Sequence, residues 1–310
     1  MKQIHAILWM ILGIALMAGC IADDLSECPT KENVTLTFSL VDKNGKQVFT
    51  EQVEKTDLIL FNGKGLFHSS ISVPTGKLDK NRSIRLALEP GNYTVVAWSN
   101  LIKRVTMCDI NTITNPEEGF VICHSDETGD PLYYAAPKET GFTRNINPTK
   151  ELFSFNVSKE NGAKETLHFI HAHKKLDIYV KGYAVNGKLP IIEVEGNYKG
   201  YDFYMNHLPG NKITLRQETV NKKTYGEDLA NAAFYTSRIR EANNNIVIHI
   251  INPTTGEKAK SVALNEVIKS FREFDMETEI VIPILFEFFD GKFEVKMPAW
   301  VTQPSKPEIN

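Results

Sequence analysis

Val34-Thr35-Leu36-Thr37-Phe38-Ser39-Leu40 sets apolar and hydroxylated side chains in strict alternation, the period of a strand with one face on a core. Its β-branched and aromatic residues favour the same conformation. Outward from it, Asp57-Leu58-Ile59-Leu60-Phe61, Ile84-Arg85-Leu86-Ala87-Leu88 and Tyr93-Thr94-Val95-Val96-Ala97-Trp98 are further short strands. Between them stand Asn44-Gly45, Asn62-Gly63 and Pro90-Gly91, pairs suited to tight turns. Short strands separated by such turns describe an antiparallel β-sandwich. Residues 100–147 are poorer in strand pattern and contain Pro116, Pro131 and Pro137, so long loops decorating the sandwich are expected there.

Leu152-Phe153-Ser154-Phe155-Asn156-Val157 reads as a closing strand, and the polar break Lys159-Glu160-Asn161-Gly162-Ala163-Lys164 as the end of a domain. A second strand series follows at 166–170, 175–181, 190–194, 245–251, 279–289 and 292–297, with Asn186-Gly187 and Asp290-Gly291 as hairpin turns. Leu264, Val267, Ile268 and Phe271 share one face of a helix, and residues 228–242 are rich enough in helix formers for a second. The expected fold class is therefore all-β: two tandem sandwiches, 31–160 and 161–310, with one or two short helices in the second.

The chain has 310 residues, with 35 Lys+Arg against 38 Asp+Glu. A near-neutral balance offers no basic field for phosphates, so no nucleic-acid partner is expected. The N-terminus is more specific. Lys2 precedes an almost wholly apolar run over residues 4–18, too short for an easy membrane crossing, and the run ends in Met17-Ala18-Gly19-Cys20. That ending resembles a bacterial lipobox, in which the cysteine is acylated and the chain is cut just before it. Residues 1–19 are then the signal peptide, Cys20 is the lipidation site, and 20–30 form a tether. Several acyl chains, at about 0.8 kcal/mol per buried CH₂, would hold such a protein on a membrane indefinitely. Ile21 rather than Asp follows Cys20, and Asp23-Asp24 resembles a surface-export signal, so a surface-exposed place on the outer membrane is expected.

Three thiols remain for an oxidising compartment: Cys28, Cys108 and Cys123. A Cys108–Cys123 disulfide would close a loop of about 15 residues, a stabilisation of about 3 kcal/mol in chain-entropy terms. Pairing of Cys28 with either one, or buried unpaired thiols, is equally allowed.

No catalytic set emerges, and no enzyme, cofactor or small-molecule substrate is expected. His171 and His173 would share a strand face within His168-Phe169-Ile170-His171-Ala172-His173, but no carboxylate or thiol joins them and Lys174-Lys175 follow directly. They read as solvated strand residues rather than metal ligands. Glu193 and Glu195 also share a face, as an inverting glycosidase pair would, and as exposed strands commonly do. Gly63-Lys64-Gly65 lacks a third glycine and a following helix, so it reads as a turn.

Cys20-Ile-Ala-Asp23-Asp24-Leu25-Ser26-Glu-Cys28-Pro29 resembles the mature start of the FimB-type minor fimbrilin lipoproteins, anchor subunits of type V pili. The stretch from Leu88 through Pro90-Gly91-Asn-Tyr93 to Ala97-Trp98-Ser99-Asn100 is similar to a family strand. So are Lys175-Leu176-Asp177-Ile178-Tyr179-Val180-Lys181-Gly182 and the closing Pro298-Ala299-Trp300. The resemblance implies two transthyretin-like sandwiches on an outer-membrane lipid, attaching the base of a fimbrium and limiting its length. Its implied partners are fimbrial stalk subunits, joined by β-strand augmentation. In this pilus class stalk subunits lose their first strand to proteolysis, commonly at arginine, and a neighbour's strand fills the groove. Here the first arginine after Cys20 is Arg82, so the strand at 34–40 would stay in place. The tail 301–310 carries Pro304 and Pro307, which suits a donor strand poorly. A stalk or tip fimbrilin is the alternative on the same fold. A surface glycan-binding lipoprotein is another, using Tyr198, Tyr201, Phe203 and Tyr204 as a stacking platform.

Overall fold

The alternating run that opened the sequence is strand β1 (Val34–Ser39) in a computed structural model that describes residues 31–124, 126, 128–137, 151–210, 212–224, 226–239, 245–271 and 279–298. Val34, Leu36, Phe38 and the following Leu40 are buried, and the hydroxylated residues between them are only half-buried. A helical turn α1 (Phe49–Gln52) follows, then β2 (Lys55–Asn62), β3 (Phe67–Pro74), β4 (Ser83–Leu86) and β5 (Gly91–Ser99). After them come β6 (Val105–Met107), β7 (Phe120–Cys123), β8 (Tyr133–Ala135), β9 (Phe153–Val157) and β10 (Ala163–His171).

The main sheet runs β3-β2-β5-β8-β10-β1-β4, with β9 also on β5. It folds over at β10, whose first part pairs with β1 and whose last residues pair with β8. The two arms enclose one core in which Leu58, Leu60, Val95 and Ala97 meet Leu36, Phe38, Leu167 and Phe169. On β2 and β5 the alternate residues Ile59, Phe61, Val96 and Trp98 are buried as well, in a different cluster. Both faces of these strands are covered, which is why their sequences are continuous apolar runs whereas β1 alternates.

The second half contains β11 (His173–Lys181), β12 (Ile191–Tyr198), β13 (Gly200–Asp202), β14 (Lys212–Glu218), β15 (Val220–Thr224) and β16 (Glu227–Ser237). It continues with β17 (Val247–Ile251), β18 (Lys258–Ala263), α2 (Leu264–Ser270), β19 (Val281–Phe289) and β20 (Lys292–Lys296). Sheet β15-β16-β11-β19-β20 and sheet β14-β12-β17-β18 share a core of Leu176, Ile178, Ile192, Val194, Phe234, Ile248, Ile284 and Phe286. Leu264, Val267, Ile268 and Phe271 bring α2 onto that core, as their spacing requires. At both Asn186-Gly187 and Asp290-Gly291 the two residues have positive φ, the backbone of a tight hairpin.

The all-β class holds, with five differences in detail. The strand at 166–170 belongs by pairing to the first sheet, in parallel register with β1 from Val34↔Ala163 to Ser39↔His168. The polar break before it is a tight turn closed by backbone bonds between Ser158 and Gly162, not a linker between domains. Two pairs are parallel, β1 with β10 and β11 with β19, so the sandwiches are not purely antiparallel. Most of the stretch expected as the second helix is β16, where an eight-residue ladder with β11 outweighs the weak helix preference of its alanines. Finally, the region from 100 onward is not loop alone, since it supplies β6, β7 and β8.

A third, small sheet, β13-β7-β6, crosses between the halves, because β13 of the second half pairs with β7 of the first. Beneath it Trp98, Tyr134, Val105 and Val121 pack with Tyr201, Phe203 and Met205 in one cluster. The two sandwiches therefore share a core.

Candidate functional site

The feature with most consequence for assembly is β1 in its groove. It is hydrogen-bonded on both sides, to β10 in parallel and to β4 in antiparallel register from Val34↔Leu86 to Thr37↔Ser83. Phe38 contacts Phe49 and Phe169 at ring-centroid distances of 5.4 and 5.8 Å. At about 1.5–3 kcal/mol per buried side chain, Val34, Leu36, Phe38 and Leu40 together contribute about 6–12 kcal/mol. That is of the order of a whole domain's stability. This sandwich therefore requires a strand at the β1 position. Arg82 lies beyond β3, in a turn tied to β1 by Phe38 N donating to Arg82 O at 3.0 Å and Arg82 Nε donating to Phe38 O at 3.2 Å.

The aromatic group at 198–204 is divided between core and surface. Tyr201 and Phe203 are buried, Trp98 lies 5.6 Å from Tyr201, and Tyr201 donates through its hydroxyl to Ala172 O at 2.6 Å. Tyr198 stacks on His207 at 4.2 Å, and Tyr204 donates to Glu117 Oε1 at 2.9 Å. Two of the four rings are thus committed to the junction between sandwiches, and the group presents no continuous platform for a sugar. Gly119 permits this packing: a Cβ there would sit 2.1 Å from the Phe203 ring.

The histidine pair is buried, contrary to the solvated strand expected. His171 ends β10 and His173 begins β11, where the chain passes from one sandwich to the other. Tyr133 lies 4.9 Å from His171 and 5.5 Å from His173, and Tyr235 lies 5.1 Å from His173. His173 Nδ1 donates to Leu132 O at 2.8 Å; a carbonyl can only accept, so the proton is on Nδ1. Burial holds both imidazoles neutral. It lowers His171 well below its ordinary value and, together with Lys174 and Lys175, brings His173 down to about 4. Sequence reading missed this burial because the lysine that follows looked like a surface residue. Lys174 is instead buried, its ammonium donating to Glu279 O at 2.6 Å.

Glu193 and Glu195 do not act as a pair. Arg216 holds Glu193, while Glu195 meets His249 Nε2 at 2.8 Å and Lys258 Nζ at 3.2 Å. The hydrogen bond from His249 and the Lys258 ammonium lower the Glu195 carboxyl, so it stays ionised and is a poor proton donor. His249 Nδ1 also meets Ser261 Oγ at 2.8 Å, which completes a polar ladder across β12, β17 and β18. Gly63-Lys64-Gly65 is a turn, with Asn62 Oδ1 accepting from Lys64 N and Leu66 N. Among the described residues, no group of three His, Cys, Asp or Glu is assembled to hold a metal.

Cys108 and Cys123 stand at opposite ends of the β6–β7 ladder. Cys123 is opposite Val105, and Cys108 N donates to Phe120 O at 3.0 Å. Three residues of strand separate them, about 10 Å, whereas a disulfide needs Cα atoms within about 7 Å. The register does not fit a Cys108–Cys123 bond. Burial raises the Cys108 thiol, leaving it protonated. Cys20 and Cys28 lie outside the described residues, as do the tail residues 299–310. Among the described residues no helix is long and apolar enough to cross a membrane.

Two sandwiches share one core, with the first strand kept in its own groove and paired on both sides. The chain belongs to the family of fimbrillin-A associated anchor proteins Mfa1 and Mfa2, whose model matches residues 25–305. That family is one of fimbrial anchor type. Solved structures with the same fold include a protein from Bacteroides ovatus described as an adhesin (14% identity, 86% of this chain and 94% of that one, TM-score 0.68). The fimbrial anchor protein Mfa2 from Porphyromonas gingivalis is similar over 84% of this chain and 94% of that one, at 15% identity and TM-score 0.58. A protein from Bacteroides thetaiotaomicron described as polysaccharide-binding also matches (11%, 87% and 99%, TM-score 0.65). The comparison with curated proteins returned no match.

Proposed function

We propose that this chain is the lipid-held base of a fimbrium: acylated at Cys20, displayed on the outer membrane, joined to stalk subunits by strand addition, and able to end fimbrial growth. The observation that carries the reading is β1 in its own groove, paired on both sides and filling the core. A subunit accepts an incoming strand where its own has been removed. An arginine-directed cut at Arg82, the first arginine after Cys20, would detach β2 and β3 together with β1 and dismantle the sandwich rather than open one slot. With the groove filled, no donor can enter there, and the chain of subunits ends at this one. The family match and the lipobox-like Met17-Ala18-Gly19-Cys20 support the attachment.

Deleting the gene should give longer fimbriae that shed into the medium, as seen by electron microscopy. Cys20→Ala should release the folded protein from membranes. N-terminal sequencing of surface material that finds a new end between Lys31 and Lys55 would overturn the reading, because the groove would then be open.

A further inference from the structure

Sheet ends are exposed templates for pairing, and natural proteins block them, most often with lysine. The sheet ends among the described residues follow that rule at six places. Arg85 stands on β4, Lys212 and Arg216 on β14, Lys222 and Lys223 on β15, and Lys258 and Lys260 on β18; Lys292 and Lys296 stand on β20, and Asp202 on β13. Three strands paired on one side only carry no Lys, Arg, Asp or Glu: β3, eight residues long, β6, and β9, which is paired to β5 alone. Of these, β3 and β6 line one groove. Ser70, Ile71 and Ser72 of β3 and Val105, Thr106 and Met107 of β6 bound a space of about 320 Å³ over Ile59, Leu101 and Ile110.

The groove is preformed. Asp130 Oδ2 accepts from the backbone N–H groups of Ile102, Lys103, Arg104 and Val105 at 3.0–3.2 Å, which fixes the chain entering β6. The floor is apolar, the β3 wall offers hydroxyls, and the charged residues lining it, Lys55 and Asp57, neutralise each other at 3.0 Å. An occupant with a net charge on its buried face would find no counter-charge. One with unpaired backbone groups and alternate apolar side chains would find a strand on either wall with no second ladder among the described residues, β3 being tied on that side at Phe67, whose N–H donates to Thr114 O at 2.8 Å.

We propose that this groove is where the anchor holds its fimbrial neighbour: one extended, uncharged, β-alternating strand of a stalk-side subunit adds to β3 or β6 and points its apolar side chains at Ile59, Leu101 and Ile110. The proposal rests on the anchor reading above and names the groove through which it works. It is separate from the β1 groove, so a subunit whose own first strand is retained still has a place to hold another. The binding mode is β-augmentation, with main-chain bonds giving affinity and the apolar floor giving selectivity.

The test uses the full-length protein in its own cells. A photo-crosslinking residue at Ser70 should capture a fimbrial subunit, with the joined peptide mapping to an uncharged alternating stretch; the same residue at Val220 on β15 should not. Ser70→Lys with Thr106→Lys should cut attached fimbriae per cell at least tenfold with surface level and unfolding midpoint unchanged, and Val220→Lys should leave them as they are. Both substituted positions are exposed, and if the double variant folds poorly the crosslink decides. Capture at Ser70 of only this chain's own tail, a second copy or a glycan would overturn the proposal, as would wild-type fimbriation of the folded double variant. If deletion of the gene leaves attached fimbriae normal, the anchor reading fails as well. If deletion removes them and the double variant does not, only the docking edge is wrong.

Discussion

His173 carries a pH dependence into the junction between the sandwiches. Tyr133, Tyr235 and His171 stand around it, and Lys174 and Lys175 add positive charge. Its folded value near 4 lies below the unfolded value of 6.5, so the unfolded chain binds the proton more readily. The sign follows: the neutral ring's contribution is complete above pH 6.5 and is lost as pH falls through about 4. A displacement of that size corresponds to about 3 kcal/mol. Urea denaturation between pH 7 and 4 should therefore show stability falling by at least that much, since buried His171 adds its own share, and His173→Gln should reduce the slope without abolishing it. An unchanged slope in the variant would remove His173 as its source.

At the scale of elements, β1 is both a strand of the sandwich and the object whose removal would change the protein's role. Phe38 sits between Phe49 and Phe169 with no exposed surface. Phe38→Ala should cost about 3–5 kcal/mol, because the cavity it leaves is walled by Phe49 of α1 and Phe169 of β10, both buried in the same core. It should also make the N-terminal strand easier to cut in limited trypsin digestion at Lys31 or Lys43, with denaturant melts giving the cost. The elements that the sequence concealed have a shared reason. β3 has three serines in eight residues and β16 is rich in alanine, so neither announces itself by composition, and pairing with β2 and β11 respectively made each a strand. β3 does carry Phe67, Ile71 and Val73 between a turn and Pro74, a faint signal that was available.

For the whole molecule, the shared cluster of Trp98, Tyr134, Tyr201 and Phe203 predicts that the two sandwiches unfold as one. Calorimetry should give a single transition with calorimetric and van't Hoff enthalpies in agreement. Gly119→Ala, which drives a methyl into the Phe203 ring, should weaken that coupling and lower the melting temperature by several degrees, as an overpacked core costing about 1–3 kcal/mol does. Two separated transitions in the wild-type protein would mean that the junction is only contact, not core.

The order of residues alone determined that this protein is built of strands, where its hairpins turn, that α2 forms, and that its start resembles an acylated tether, since each depends on neighbours within a few positions. Tertiary structure alone decided that β10 belongs beside β1, that His171, His173 and Lys174 are buried, that Cys108 and Cys123 are held apart, and that two uncharged edges meet over one groove. The physical reason is range. Periodicity records which face of a segment is apolar, but which distant strand covers that face, and so what becomes buried or left open, depends on pairings that no local pattern contains.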